Sequence, residues 1–279
     1  MIRTMITATN TLGQLQSQID TISNNIANSN TTGYKAREAR FSELLYQQFE
    51  NDQLDLTVRQ SPVGIRYGVG AHISQIQMNT KQGSLQLTDR DLDFAFTKEN
   101  QYFNVIMPDG VNGQRTAYTR QGDFYVTPVA AGQVMLVNNE GYAVADSNGN
   151  AISFPDNMKN FNLSEGGTLL VNYPDGTSLN FELAVTQIQK PQSMEQLSGT
   201  YIALPTNLDE LGLTEADLYT DLLGAARTQV GMTNQKIEMS NVDVSKEMTD
   251  LINAQRSYQF SSRAITIADQ MLGLINGIR

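Results

Sequence analysis

The sequence predicts an α+β protein in which discontinuous N- and C-terminal coiled-coil helices flank an all-β central domain. Three observations carry that prediction. Apolar residues recur at heptad spacing over the first 27 positions, a second helical stripe begins at Val244, and the stretch between them breaks into short alternating segments separated by turn residues.

In the first helix the apolar positions are Met5, Ala8, Leu12, Leu15, Ile19, Ile22 and Ile26, in alternating steps of three and four. Such a seam keeps facing a partner helix that supercoils with it. The remaining positions are mostly Thr, Asn, Gln and Ser, with Arg3 and Asp20 as the charges before Ala27. A solvated coiled coil usually carries Glu and Lys on its flanks, so this surface suits contact with neighbours. The helix is expected to stop near Asn28, where Asn, Ser and Thr crowd the chain and Gly33 can adopt a left-handed cap.

The carboxyl end repeats the theme. From Val244, the residues Met248, Leu251, Ile252, Tyr258, Ile265, Ala268, Leu272 and Ile275 form a helical stripe, interrupted by Gln255 and Ser262, with Asp243 placed to cap its start. An isolated helix of this length does not hold itself in water. Both seams therefore need partners, and the expected assembly contacts are Met5, Leu12, Leu15, Ile19, Ile22, Ile26, Val244, Met248, Leu251, Tyr258, Ile265, Leu272 and Ile275. The competing arrangement is an ordinary α+β core in which both helices lie on the β body.

Between the helices, Leu179, Phe181, Leu183 and Val185 alternate with polar residues as in a half-buried strand, and Tyr102 to Met107 and Val134 to Val137 have similar strand content. Pro-Asp-Gly at 108–110 and 174–176, Asn148-Gly149 and Asn139-Glu140-Gly141 mark reversals. A short helix with Thr214 as its cap is expected within Leu208 to Leu223. The resulting division is a terminal helical domain of 1–34 with 241–279, an extended connector 35–80, a β-rich domain 81–206, and a short helix and return connector 207–240.

Composition excludes several kinds of chemistry. The 279 residues include no cysteine, so disulfides, thiolate metal sites and cysteine nucleophiles are absent. Formal net charge is -10, and residues 41–235 hold ten bases against twenty-two acids, a balance that repels phosphate backbones and anionic lipid. No apolar run is long enough to span a bilayer, and the amino terminus lacks the h-region of a cleavable secretory signal.

His72 is the single histidine, leaving no second imidazole for a metal site or relay. Asp89, Asp91 and Asp93 open like a calcium loop, but Phe94 stands where glycine is needed and Asn100 where glutamate is needed. No nucleophile elbow, phosphate loop or dinucleotide fingerprint occurs; Gly64, Gly68 and Gly70 have the wrong spacing. Lys35, Arg37 and Arg40 read as positive charge following a helix carboxyl end. The expectation is therefore no enzyme, no cofactor and no metal.

The segment Ser23-Asn24-Asn25-Ile26-Ala27-Asn28-Ser29-Asn30-Thr31-Thr32-Gly33-Tyr34-Lys35 closely resembles the amino-terminal signature of the flagellar basal-body rod and hook protein family. Further resemblances lie at Gln82 to Thr88 with Leu92 to Phe96, at Tyr118 to Phe124 with Gly141 to Val144, and at Ser240-Asn241-Val242-Asp243-Val244 leading into Ala254 to Tyr258 and Ala268 to Leu272. The segment Pro62 to Gly70 looks like a shortened connector of the FlgG type, with FlgF as the neighbouring alternative, so a distal rod protein is the nearest match. The resemblance marks Asn24, Asn25, Asn28, Thr32, Gly33, Asn241 and Asp243 as motif positions. It implies a homo-oligomeric axial helical assembly built on the terminal helices, contact with other rod and hook proteins, and passage through the flagellar type III export apparatus without a cleavable signal. No nucleic acid and no membrane insertion are implied. The alternative is an extracellular or phage-tail-like binding module with helical oligomerisation ends and a ligand cleft in residues 81–206.

Overall fold

The computed structural model describes residues 2–43, 46–49, 65–68, 71–109, 113–206, 208, 212 and 214–277. Most of Pro62 to Gly70, Gly110 of the first Pro-Asp-Gly turn and most of 207–213 lie outside them. In chain order, a long helix α1 (Ile2–Ala27) precedes a β-rich stretch, a single helical turn α2 (Glu215–Leu218) and a second long helix α3 (Val244–Gly277). The α+β class is therefore correct, with the helices at the two ends of the chain and strands between. Two compact units divide it: residues 1–27, 37–77 and 243–279 form one, residues 28–36 and 78–242 the other.

In the first unit α1 and α3 pack against each other. The end of α1 meets the start of α3, since Gln18, Thr21 and Ile22 line one small cavity with Lys246, Glu247 and Asp250. Burial then recurs toward the far end of α3 at Ala254 and Ala268, so the helices run antiparallel. Asp243 caps α3, its Oδ1 accepting the N–H groups of Ser245 at 3.0 Å and Lys246 at 3.2 Å, which satisfies two of the first-turn donors. The residues read as a connector supply strand pairs here: Arg37–Glu43 pairs with Ala71–Met78, and Tyr46–Phe49 runs antiparallel to Ile65–Gly68. The side chain of Gln14 ties α1 to this ribbon by accepting the N–H of Ile73 at 2.8 Å.

The second unit is built on a ten-stranded sheet whose central strand is Gln101–Asp109, flanked by Gly113–Thr119 on one side and by Ala143–Val144 and Val185–Ile188 on the other. Its two faces are both covered at the start of this strand. Phe103 enters the main core with Phe94, Phe96, Phe124, Leu136 and Leu183, while Tyr102 joins Tyr118, Ile188 and Ile202. The main core is aromatic at its centre: Phe103 stacks at 4.3 Å on Phe96 and meets Phe124 edge-on at 5.0 Å. Two short pairs, Leu85–Leu87 with Lys236–Glu238 and Phe94–Phe96 with Met232–Asn234, lay the returning chain antiparallel to the early body.

The alternation from Leu179 to Val185 belongs to two strands rather than one. Ser178–Glu182 closes a three-stranded meander with Asn160–Ser164 and Thr168–Asn172, and the chain then crosses to the large sheet at Val185. Leu183 and Val185 are accordingly buried, whereas Leu179 is exposed at the meander's edge. The turn at 174–176 is made by Gly176 at φ +81, a conformation an L side chain resists. Thr214 caps α2 reciprocally with Asp217, whose Oδ2 accepts from both the Thr214 N–H at 3.2 Å and its hydroxyl at 2.6 Å.

Phe103 has no exposed surface and touches both neighbouring rings. Phe103→Ala is expected to destabilise the second unit by about 3–5 kcal/mol, read as a shift in urea midpoint with unchanged slope.

Candidate functional site

The second unit encloses a cluster of charge around one carboxylate. Glu238 Oε1 accepts from Lys35 Nζ at 2.6 Å and from the Gly83 N–H at 2.9 Å, while Oε2 accepts from Arg120 Nε at 2.7 Å and faces Arg120 Nη2 at 2.6 Å. The three side chains are between 1 and 4 % exposed. Two cations around one anion leave a positive excess, which backbone carbonyls absorb: Lys35 Nζ also donates to Lys81 O at 2.7 Å, and Arg120 Nη1 to Lys98 O and Gln101 O at 3.1 and 2.9 Å. Arg120 further lies over the Phe96 ring at 5.4 Å and the Tyr102 ring at 5.8 Å.

The cluster joins four stretches distant in sequence, around Lys35, Gly83, Arg120 and Glu238. The N–H of Gly33 donates to Glu238 O at 2.8 Å, and Asn241 accepts from the Ala36 N–H at 2.7 Å while donating to Asn79 O and Lys81 O, both at 2.9 Å. Close approach excludes side chains at two glycines. A Cβ at Gly83 would stand 1.9 Å from Met239 O, and one at Gly33, which already has φ +69, 2.6 Å from the Gln121 nitrogen. Burial holds the Lys35 amine below its ordinary value; Glu238 opposes that shift and Arg120 adds to it. Burial likewise pushes the Tyr102 phenol up to about 12. With its carboxylate saturated by donors, the cluster offers no open position for a substrate, and its chemistry is that of a lock.

A second polar device closes the first unit. Asn25 is fully buried and its side-chain amide pairs with Arg37 as a strand would, accepting the N–H at 3.0 Å and donating to the carbonyl at 2.8 Å. Asn25 also bonds Glu247, a buried carboxyl on α3. Burial raises the Glu247 pKa and Asp250 and Glu38 push the same way, against Asn25 and Lys246. Arg37 lines the same small cavity.

The expected seam residues fall into two groups. Leu15 and Ile22 are buried, and Met5, Leu12, Ile19, Ile26, Leu251, Ile265 and Leu272 are partly covered. Val244, Met248, Tyr258 and Ile275 stay exposed, Met248 and Ile275 by about half. Two small residues of α3, Ala254 and Ala268, are buried, and Ser261, seven residues from each, is partly covered. Their seven-residue spacing was available in the sequence but carries no apolar signal strong enough to stand out beside the larger residues.

Of the motif positions, Thr32, Gly33 and Asn241 belong to the second unit, where Gly33 and Asn241 border the charge cluster and the Thr32 hydroxyl lies 3.4 Å from Asp123. Asn25 and Asp243 belong to the first, Asn24 is exposed on α1, and Asn28 opens the turn after α1, its Oδ1 accepting from the Thr31 hydroxyl at 3.1 Å. Lys35, read as part of a charge group at a helix end, is instead an internal ion-pair member, because the chain after Gly33 runs inside the second unit. Glu238 was not singled out by sequence, since a lone acid between Ile237 and Met239 carries no motif of its own.

Other candidates stay apart from any site. His72 Nδ1 lies 3.1 Å from the Ser42 hydroxyl, Asp93 pairs with Arg90 at 3.0 Å, and Asp91 accepts from Gln235 at 3.1 Å. Among the described residues no group of three potential metal ligands stands together, and no helix is long and apolar enough to cross a membrane. Open clefts of about 500 and 510 Å³ lie in the second unit; one holds Glu140 as its sole carboxylate, and in the other Glu182 is tied to Arg227 at 3.7 Å.

Asn25, Lys35, Arg120, Glu238 and Glu247 all lie in segments that match known families. Residues 5–35 match the family described as flagella basal body rod protein, 98–171 the D1 domain of the flagellar hook protein FlgE/F/G, and 233–278 the carboxyl-terminal region of flagellar basal body rod FlgEFG proteins. The chain is 47 % identical over the whole of both sequences to the flagellar hook-basal body complex protein FlhP of Bacillus subtilis. The chain belongs to the flagellar basal-body rod and hook family. It is also 32 % identical to the flagellar basal-body rod protein FlgG of Caulobacter vibrioides, over 98 % of each chain, and 28 % identical to FlgG of Bacillus subtilis, over 98 % of this chain and 97 % of that one. This is a family of structural subunits, in keeping with a buried polar core that holds chain segments and reaches no substrate.

Two outcomes follow for this family member. Glu238→Gln strands Lys35 and Arg120 in the interior and is expected to cost about 3–5 kcal/mol in urea unfolding, whereas Lys246→Ala, which breaks an exposed pair with Glu38, should cost about 0–1 kcal/mol. Because the folded pKa of Glu247 is raised, its contribution is fully present below the ordinary glutamate value and is lost as pH rises through the folded pKa. Amide protection of α1 and α3 should therefore increase between pH 7 and about 4.5, and Glu247→Gln should abolish that component of the increase.

Proposed function

We propose that this protein is a structural subunit of the flagellar basal-body rod, of the distal rod type, that polymerises through its terminal helices into a hollow axial shaft. The observation carrying this reading is the incomplete covering of those helices. Pairing within one chain buries one side of each seam, yet Ile6 on α1 and Met248, Ile252 and Ile275 on α3 remain roughly half exposed. Their neighbours on α1 are almost all uncharged. Such surfaces are costly in water and gain contacts when copies stack.

In this reading α1 and α3 form a coiled coil with the helices of further copies, and the seam residues from Met5 to Ile26 and from Val244 to Ile275 are its contacts. The motif residues do not themselves touch neighbours. Asn25 and Asp243 set where the helices stop and start, and Gly33 and Asn241 hold the strands that continue from them. The subunit's partners are its own copies, other rod and hook proteins and the flagellar type III export apparatus. Higher identity to the FlhP relative than to FlgG of the same bacterium favours an FlhP-like place among the hook-basal body subunits.

Deletion of residues 1–27 tests the reading. The truncated chain should retain the folded second unit, seen as an unchanged cooperative transition, and should be missing from isolated basal bodies. Normal incorporation of the truncated chain would refute a helix-driven assembly.

A further inference from the structure

The strand partners of the second unit fall into two sets. All ten strands of the large sheet and all three of the meander come from residues 101–221, so every pairing within them is made by chain that precedes residue 222. Residues 231–241 instead pair backwards, past the whole sheet, with chain that comes before it. Thr97, Thr88 and Gly33 donate their N–H groups to the carbonyls of Gly231, Gln235 and Glu238 at 2.9, 3.0 and 2.8 Å, and the Met239 N–H donates to Ser84 O at 2.9 Å. Glu238 answers Lys35 and Arg120 from 203 and 118 residues away. The fit is close: a Cβ at Gly231 would stand 2.5 Å from Thr97 Oγ1.

We propose that residues 231–241 act as a latch, which shuts after the sheet has formed and opens while the sheet stays intact. The charge cluster makes the latch two-state. Drawing Lys35 and Arg120 out of water before Glu238 arrives strands two interior cations, which is worse than leaving all three side chains wet, so no half-shut arrangement is favoured. Sequence distance sets the order. Several neighbouring strands of the sheet meet over short turns, as in Gln101–Asp109 with Gly113–Thr119 and Phe124–Ala130 with Gln133–Asn138, whereas the cluster of the latch closes loops of 118 and 203 residues. The strand Phe94–Phe96 pairs with Met232–Asn234 of the latch while Phe94 and Phe96 lie in the main core, so shutting the latch also seals that edge of the core. Closure has one more effect. Through Gly33 with Glu238, and Ala36 with Asn241, it ties the chain leaving α1 to the chain entering α3. Because these residues follow the sheet in the chain, that tie exists only once the chain has been made through Asn241.

Pulse-labelled hydrogen exchange during refolding of the full chain from urea separates the two sets. Amides bonded within residues 101–221, those of Leu136, Ala145 and Ala184, should gain protection at least about tenfold faster than those of Gly33, Thr88, Thr97 and Met239. Asn241→Ala removes hydrogen bonds to Ala36, Asn79 and Lys81, and in the native state it should speed exchange of the latch amides about tenfold while leaving those of Leu136 and Ala145 unchanged. Protection of both sets in a single phase, or equal acceleration of both by Asn241→Ala, would overturn the latch.

Discussion

A carboxylate withdrawn from water must be answered by donors from wherever the chain can supply them, and for Glu238 they come from residues far apart in sequence. Lys35 lies just after the first helix, Gly83 at the start of the body and Arg120 just past the strand Gly113–Thr119, while Glu238 itself precedes the last helix. Removing the carboxylate would leave two unpaired interior cations, a heavier penalty than any single contact in the cluster. The arrangement therefore ties stretches of the second unit that are distant in sequence to one another. Gly33, Gly83 and Asn241 take their identity from that coupling: two of them leave room for passing backbone, and the third supplies an amide where backbone donors and acceptors would otherwise go unpaired.

The helices obey a different constraint. Apolar burial is non-directional, so a seam can be covered by whichever surface matches its spacing, and nothing in the burial itself distinguishes the chain's own partner from a sister copy. On α3, Ala254 and Ala268 are buried and Leu251, Ile265 and Leu272 are mostly covered, while Phe260, Ile267 and Leu274 are more than half exposed. The larger apolar area of this half of α3 is thus withheld from the monomer. A fold whose buried charges are paired and whose apolar surfaces are in part uncovered still has contact energy to gain by association.

Periodicity made the terminal helices legible, because an apolar repeat sustained over several turns keeps to one face only if the chain is helical, and the stop after Ala27 followed from crowded turn residues before Gly33. The strands at 101–109 and 133–138 were visible on similar grounds, from alternation bounded by turns. Reading Leu179 to Val185 as one strand failed because a period of two survives when a chain leaves one sheet and enters another in phase. The charge cluster was invisible for a deeper reason: burial of Lys35, Arg120 and Glu238 depends on three segments meeting, and residue type alone favours the surface for all of them. The exposed apolar residues Phe260, Ile267 and Leu274 of α3 were hidden by the stronger stripe beside them, since one stripe suffices to predict a helix.

That a helix can bear two seams changes what its pattern means. One apolar stripe is fully accounted for by one partner, and the usual inference from it ends at the folded monomer. A second stripe with the same 3.5 period, displaced around the helix and free of charge, is not required by that fold and weakens solubility unless something covers it. Its persistence through Phe260, Ile267 and Leu274 at every seventh position makes a chance scatter of apolar residues a poor account. In a chain whose β-rich unit is acidic and self-repelling, charge is sparse on α1, which carries only Arg3 and Asp20.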